Sequence, residues 1–298
     1  MSVLCIGSMN LDYVYRVPHL VLPGETLTAS AMTTNPGGKG LNQMLALAKA
    51  GATVRHAGCV GAAGIVLREL LAENGVDVSL VQMVDEPQGS AVIQVDEETG
   101  QNSIVIFGGS NRALTESRVE ELLDAANADD VVVLQNEISS MESILVGCAK
   151  RGLPIILNPA PYSNDIAGMD LSAVAWIIVN EIEVAQLTGT DDPDAAWAIV
   201  RSRWPRASLV VTLGEQGCIC FSGDERFVQP AFAVDAVDTT AAGDTFIGYF
   251  VAGLQEGLSL PRCLERASLA SAIAVTRPGA APSIPEKAEV DADGRLTH

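Results

Sequence analysis

The chain has 298 residues, with 18 Lys and Arg against 37 Asp and Glu, and a formal net charge of −19. That balance argues against nucleic acid and anionic membrane surfaces as partners, although local dipoles and a few Lys or Arg still allow a small anionic ligand. With only His19, His56 and His298, a histidine triad or a histidine-rich metal centre has almost nothing to be built from.

Apolar residues make up 48% and aromatic ones 4%, so the core must be built from Ala, Val, Leu and Ile, as in helices packed on a buried sheet. The length suits one large α/β domain or two ordinary ones. Cys5, Cys59, Cys148, Cys218, Cys220 and Cys263 are scattered and read as free buried thiols in a reducing cytoplasm. The N-terminal run Met-Ser-Val-Leu-Cys-Ile-Gly lacks a basic segment and reads as a first strand, not a signal peptide. No apolar stretch reaches the roughly 18 uninterrupted residues of a membrane span.

In chain order, Val3 to Ile6 is an apolar strand ended by Gly7-Ser8. Met9 to Val17 alternates polar and apolar residues, the pattern of a strand with one wet face. Thr26 to Thr34 is again strand-like, and Asn35-Pro-Gly-Gly-Lys-Gly40 is expected to break it. Leu41 to Ala50 is a helix stopped by Gly51. Thr53 to Val60 reads as a strand and Ile65 to Glu73 as a helix; Gly89 to Val95 and Asn102 to Phe107 form a hairpin across Glu97 to Gly100. Beyond it, helices at 119–126, 144–150 and 195–203 alternate with strands at 131–134, 154–157, 176–179 and 209–212. A hairpin through Gly223 follows, then a helix from Phe246 closing at Gly257, and an Ala- and Ser-rich helix from Arg262 to Thr276. The polar segment after Ile284 is expected to fray. There is no internal repeat and no low-complexity linker.

Buried strands alternating with helices predict a mostly parallel sheet covered on both faces. The wet-faced regions, about 12–36 and 88–107, do not fit that rhythm and are expected to form a small separate sheet that acts as a lid.

Asp238-Thr-Thr-Ala-Ala-Gly-Asp244 places two carboxylates around five small residues, where the helix containing Phe246 begins. A helix start has backbone N–H groups without intrahelical partners and the positive end of the helix dipole, which favours phosphate. A carboxylate beside it suits a base that takes a proton from an attacking hydroxyl. Ligands of open parallel sheets bind beyond the carboxyl ends of the strands. Those ends carry Asn10, Asp12, Glu137, Asn158, Asn180, Glu183, Thr212 and Gly214. Asn, Asp and Glu hydrogen-bond sugar hydroxyls, and equally they punctuate strand ends. Gly37-Gly-Lys-Gly40 before Asn42 is no Walker loop. Asn180 and Glu183, three residues apart at a helix start, could hold water around Mg²⁺ or simply cap the helix.

Together these runs resemble the ribokinase family of sugar and nucleoside kinases. The likeness spans nearly the whole chain: Gly7-Ser-Met-Asn-Leu-Asp12, Pro23-Gly-Glu-Thr26, Gly37-Gly-Lys-Gly-Leu-Asn-Gln43, Asn158-Pro-Ala-Pro161, Leu187-Thr-Gly189, Ala236 to Phe246 and Ala272 to Ser283. It implies one ribokinase-like kinase domain over 1–298, with a three-layer α/β core and a discontinuous β-sheet lid. The implied activity is ATP-dependent phosphorylation of a sugar's primary hydroxyl, O5 of D-ribose in the ribose-specific members. Asp244 would be the base, and the amides of Ala241, Ala242, Gly243 and Asp244 the anion hole. Asn10, Asp12, Gly38, Lys39, Asn42 and Glu137 would contact sugar. Asn180, Thr212, Gly214, Gly217, Gly243 and Ser268 would contact nucleotide, with Glu183 near Mg²⁺. An activating K⁺ would lie by Asp238, Thr240, Ala274, Arg277, Gly279 and Ser283. The lid would also make a homodimer contact.

The chain departs from the family pattern at Gly61-Ala-Ala-Gly64, which lacks the usual acidic residue near the lid hinge. It also departs at Ser268, where a His near the adenine is common, and at Asn35-Pro36. Two rivals stand: a kinase for another substrate (fructose, tagatose, deoxyribose or a nucleoside), and a non-catalytic sugar or nucleotide sensor on the same fold.

Overall fold

A computed structural model describes residues 2–296. The chain runs through β1 (Val3–Ile6), β2 (Asn10–Val17), β3 (Ala31–Gly37), α1 (Lys39–Lys49), β4 (Val54–Val60), α2 (Ile65–Glu73) and β5 (Asp77–Met83). It continues with β6 (Ser90–Asp96), β7 (Asn102–Phe107), α3 (Glu116–Asp124), β8 (Val131–Gln135), α4 (Met141–Arg151), β9 (Ile155–Asn158), α5 (Asn164–Gly168) and β10 (Val174–Asn180). The last part holds α6 (Glu181–Thr188), α7 (Pro193–Arg203), β11 (Ser208–Thr212), β12 (Cys218–Ser222), β13 (Glu225–Gln229), α8 (Ala242–Glu256), α9 (Leu260–Ala274) and α10 (Lys287–Asp291).

Nine strands form one sheet in the order β13-β12-β11-β10-β9-β8-β1-β4-β5. It is parallel from β5 to β11, and only β12 and β13 run antiparallel. Successive residues face opposite layers. Val3, Cys5, Val131 and Val133 enter the core under α1, α2, α8, α9 and α10, while Leu4, Ile6, Val132 and Leu134 enter the core under α3, α4, α6 and α7. That is why these strands read as continuous apolar runs. Cys218 and Cys220 share one face, and all six cysteines are free and buried. The strand order reverses between β1 and β8, which opens a crevice at their carboxyl ends.

The remaining four strands form a second sheet, β3-β2-β6-β7. β2 and β6 are parallel, and β3 and β7 are its antiparallel edges. β3 starts later than Thr26 and runs through Asn35-Pro36 to Gly37 instead of breaking there. An edge strand tolerates Pro36 because its missing N–H costs no ladder bond.

Two further expectations change. Residues 77–83 form β5, an outer strand that had no assigned element. The segment after Ile284 does not fray within the described residues: α10 buries Val290, Tyr249 donates to Pro285 O (2.8 Å), and Lys49 donates to Ile284 O (2.9 Å). Thr297 and His298 lie outside the described residues.

Candidate active site

The site forms where α8 starts above the strand ends. Its approach to α1 depends on Gly248, where a Cβ would lie 2.3 Å from Ala46 Cβ. Asp244, in the first turn of α8, is only 8% exposed. Its Oδ2 accepts from Asn42 Nδ2 (3.1 Å) and its Oδ1 from Gln43 Nε2 (3.0 Å). Ala241, just before the helix, sits at φ 59°, a left-handed conformation unusual for a residue other than glycine and of the kind stored at functional turns. Ala242 N–H is already engaged by Thr239 O (3.2 Å). Gly243 and Asp244 N–H fall among the amides that a helix start leaves without helical partners. Ser271 Oγ, on α9, donates to Ala242 O (2.9 Å) and pins the turn from behind.

Two cavities meet at this turn. The smaller, about 210 Å³, includes Lys39, Asn158, Asn180, Glu183 and Asp244 in its lining. The larger, about 760 Å³, runs past Gly214, Gly217, Phe232, Phe246 and Ser268. Thr212, Thr239, Ala242 and Gly243 line both. Asn180 caps α6 by accepting from Ile182 and Glu183 N–H (3.0 and 2.8 Å), and Glu183 Oε2 accepts from Asn180 N–H (3.1 Å) and Asn158 Nδ2 (3.4 Å). The capping and ligand-binding readings are therefore compatible: the amide nitrogen of Asn180 remains for a ligand. Ser268 is buried, with its hydroxyl 3.7 Å from Cys218 Sγ.

Of the residues expected to contact sugar, Lys39 lines the small cavity, while Asn10, Asp12, Gly38, Asn42 and Glu137 lie outside its lining. Glu137 accepts from Lys39 N–H (3.0 Å) and from the Ser8 hydroxyl. Burial works to lower the Lys39 pKa, but Asp244, Glu137 and Glu183 outweigh it and hold it above its ordinary value. Burial, with Glu137 adding to it, pushes the Asp12 carboxyl up to about 6. Asn10 Oδ1 accepts from Asn111 Nδ2 (2.7 Å), and Asn111 Oδ1 accepts from Met9 N–H (3.0 Å). Gly38 precedes α1 and packs on the Asn10 backbone. At Gly61 to Gly64 a neutral amide takes the hinge position: Gln88 Oε1 accepts from Gly61 N–H (3.0 Å) and Gln88 Nε2 donates to Met9 O (2.5 Å).

The expected cation segments also converge. Asp238 Oδ1 accepts from Thr240 N–H (2.9 Å) and Oγ1 (2.6 Å), its Oδ2 accepts from Gly279 N–H (2.8 Å), and its own N–H donates to Val275 O (3.1 Å). Burial opposes ionisation of Asp238, yet these donors hold its pKa below the ordinary carboxylate value. Ser283 is buried and donates to Ala280 O (2.7 Å), and Arg277 N–H donates to Ala274 O (3.0 Å). The Arg277 guanidinium turns away to Glu289. Among the described residues no group of three or more His, Cys, Asp or Glu is placed to hold a metal.

Sequence reasoning missed Gln43, Gln135, Asn111, Gln88 and Ser271. Gln43 lies inside a recognised motif, whereas nothing in the neighbourhood of Asn111 or Ser271 marks them.

A family model described as pfkB family carbohydrate kinase matches residues 1–287. The chain belongs to the pfkB family of carbohydrate kinases. This pfkB-family chain is 35% identical over 294 residues to the ribokinase of Haemophilus influenzae, covering 95% of each. It is 31% identical over 301 residues to the deoxyribokinase of Salmonella typhi, covering 96% of each. Among solved structures it matches Arabidopsis thaliana ribokinase complexed with ribose and ATP, with a TM-score of 0.85 and 31% identity, over 100% of this chain and 99% of that one.

Proposed function

We propose that this sugar kinase transfers the γ-phosphoryl group of ATP to O5 of D-ribose, giving ribose 5-phosphate and ADP. The observation that carries the reading is one helix start whose buried carboxylate and first-turn amides line a small polar cavity, open beside a nucleotide-sized cleft. Asp244 takes the proton from the attacking hydroxyl as its oxygen bonds to phosphorus and the bond to the ADP oxygen breaks. The amides of the 241–244 turn that lack a partner, Gly243 and Asp244 among them, and Lys39 stabilise charge on the phosphoryl oxygens, which is most of what a protein does in such a transfer. Asn10, Asp12, Gly38, Asn42 and Glu137 hold the sugar hydroxyls, and Asn180, Thr212, Gly214, Gly217 and Ser268 the nucleotide.

Mg²⁺ would neutralise charge between the phosphate oxygens. Glu183, with oxygens already partly engaged, suits contact through water. The hard oxygen donors of Asp238, Ala274, Gly279 and Ser283 suit K⁺, which would fix the turn from behind. The four-stranded sheet would act as the lid of a single domain in the cytoplasm. The exposed apolar residues Met32, Val92, Val105 and Phe107 support a homodimer through it, and the mass of the protein in solution decides that point.

The test is ADP release across ribose, deoxyribose, fructose, tagatose and common nucleosides, with K⁺ or Na⁺ as the only monovalent cation. The expected result is preference for ribose and lower activity in Na⁺. A preference for deoxyribose would move the chain to its deoxyribokinase-like reading, and no turnover on any of them would favour a sensor.

A further inference from the structure

The back of the catalytic carboxylate is held by a chain of side chains that the proposed reaction does not use. Gln43 and Gln135 are both fully buried. Gln43 Nε2 donates to Asp244 Oδ1 (3.0 Å), and Gln135 Nε2 donates to Gln43 Oε1 (2.7 Å). Behind Gln135, the Cys5 thiol lies 4.0 Å from its Oε1 and 3.8 Å from its Nε2. The chain crosses from α8 through α1 to the ends of β8 and β1, at the point where the strand order reverses.

Its polarity is fixed by elementary chemistry. An ionised carboxylate only accepts, so Gln43 must turn its NH₂ toward Asp244. Its carbonyl oxygen then faces Gln135, which must turn its own NH₂ inward. Burial pushes the Cys5 thiol up to about 12, so the far end stays a neutral S–H. Gln135 and Gln43 both donate toward Asp244, and hydrogen bonds aligned in one sense strengthen each other in a buried setting. Room for the chain is built in at Gly7, where a Cβ would lie 2.5 Å from Gln135 Oε1.

Resting on the reading of Asp244 as the base, we infer that Gln43 and Gln135 are positioning residues of the phosphoryl transfer. Together they turn Oδ1 to the interior, so that Oδ2, shared with Asn42, addresses the hydroxyl. Buried glutamine pairs more ordinarily serve packing, but a packing role has no reason to converge on the one carboxylate at the helix start.

The test compares Gln43→Met, Gln135→Met, the double variant and Asp244→Asn, each also combined with Asp244→Asn. Kcat, both KM values and Tm are measured in the full chain. Gln43→Met should lower kcat about 10- to 100-fold, the worth of a hydrogen bond to a charged group, with both KM values near wild type. Gln135→Met should act in the same direction, more weakly, and add little once Gln43 is gone. In the Asp244→Asn background neither should cost more than about twofold. Losses that simply add to that of Asp244→Asn, or a rise in KM that matches the fall in kcat, would overturn the inference. Near-normal turnover of Asp244→Asn alone would instead overturn the base assignment. If Gln43→Met fails to fold, Gln135→Met and its combination with Asp244→Asn decide.

Discussion

β8 and β7 are both short apolar strands, and their surroundings are opposite. Every residue of β8 is buried, and every residue of β7 is exposed. The first lies between two layers of helices at the centre of the nine-stranded sheet; the second is the free edge of the small sheet. The large sheet carries Glu137, Asn158, Asn180 and Thr212 at or just beyond strand ends whose register its parallel ladder fixes, as in the pairing of Asn180 with Thr212. The small sheet contributes Asp12 from β2, which packs on the core through Leu11 and Tyr13, with Gln88 bonded to Met9 O just before it. The contrast divides the proposed site: the proposed base and nucleotide side stand on the buried sheet, and the proposed sugar contacts come in part from the exposed one.

The largest expected effect tests the buried half. Asp244→Asn keeps the shape of the side chain and removes the base, so kcat should fall by about 10² to 10⁴ with sugar binding largely intact. Measuring both is essential. Loss of sugar binding along with turnover would mean that Asp244 belongs to the sugar side and that the division is drawn in the wrong place.

Next in size is a paired stability measurement. Leu134→Ala leaves a cavity in a packed core and should cost about 2–5 kcal/mol in chemical denaturation. Val105→Ala, on a side chain that is 66% exposed, should change stability by no more than about 0.5 kcal/mol in dilute monomer. A large loss at Val105 would mean that its face is covered in solution, and the small sheet would then be a second buried region instead of a free one.

Much of this contrast is legible in the residues. β8 reads as Val-Val-Val-Leu because both faces are buried, and the α8 start announces itself by its small residues, whereas β2 alternates in sequence but not in burial, residues 12–15 all being half-buried. Three things escape for physical reasons. Whether a polar residue at a strand end binds a ligand or caps the next helix depends on the free valences of one side chain, and Asn180 caps α6 through its Oδ1 while it also lines the cavity. The end of β3 is set by pairing with β2, which carries the strand through the local turn signal of Asn35-Pro36 to Gly37. The network behind Asp244 joins residues 43, 135 and 244 across three elements, so no local spacing encodes it. Gln43 could be noticed as part of a motif, but its partner could not.

The smallest expected effect probes the small sheet through pH. The folded chain holds Asp12 at about 6, against about 3.9 for an unperturbed Asp in the unfolded chain. Between those values the folded state keeps a proton that the unfolded state releases. Stability from this group is therefore fully present below about pH 4 and is lost as pH rises through about 6. Asp12→Asn cannot ionise and should not show this fall, so its Tm relative to wild type should climb across that interval. The same variant should raise the sugar KM and leave the ATP KM near wild type, because Asp12 stands on the sugar side only. Parallel Tm profiles would place the Asp12 carboxylate in water, and the small sheet would then be lifted further from the core than the burial of Asp12 implies. A matching rise in the ATP KM would instead mean that the two halves of the site are coupled through the hinge at Gln88, with sugar and nucleotide each closing the sheet for the other.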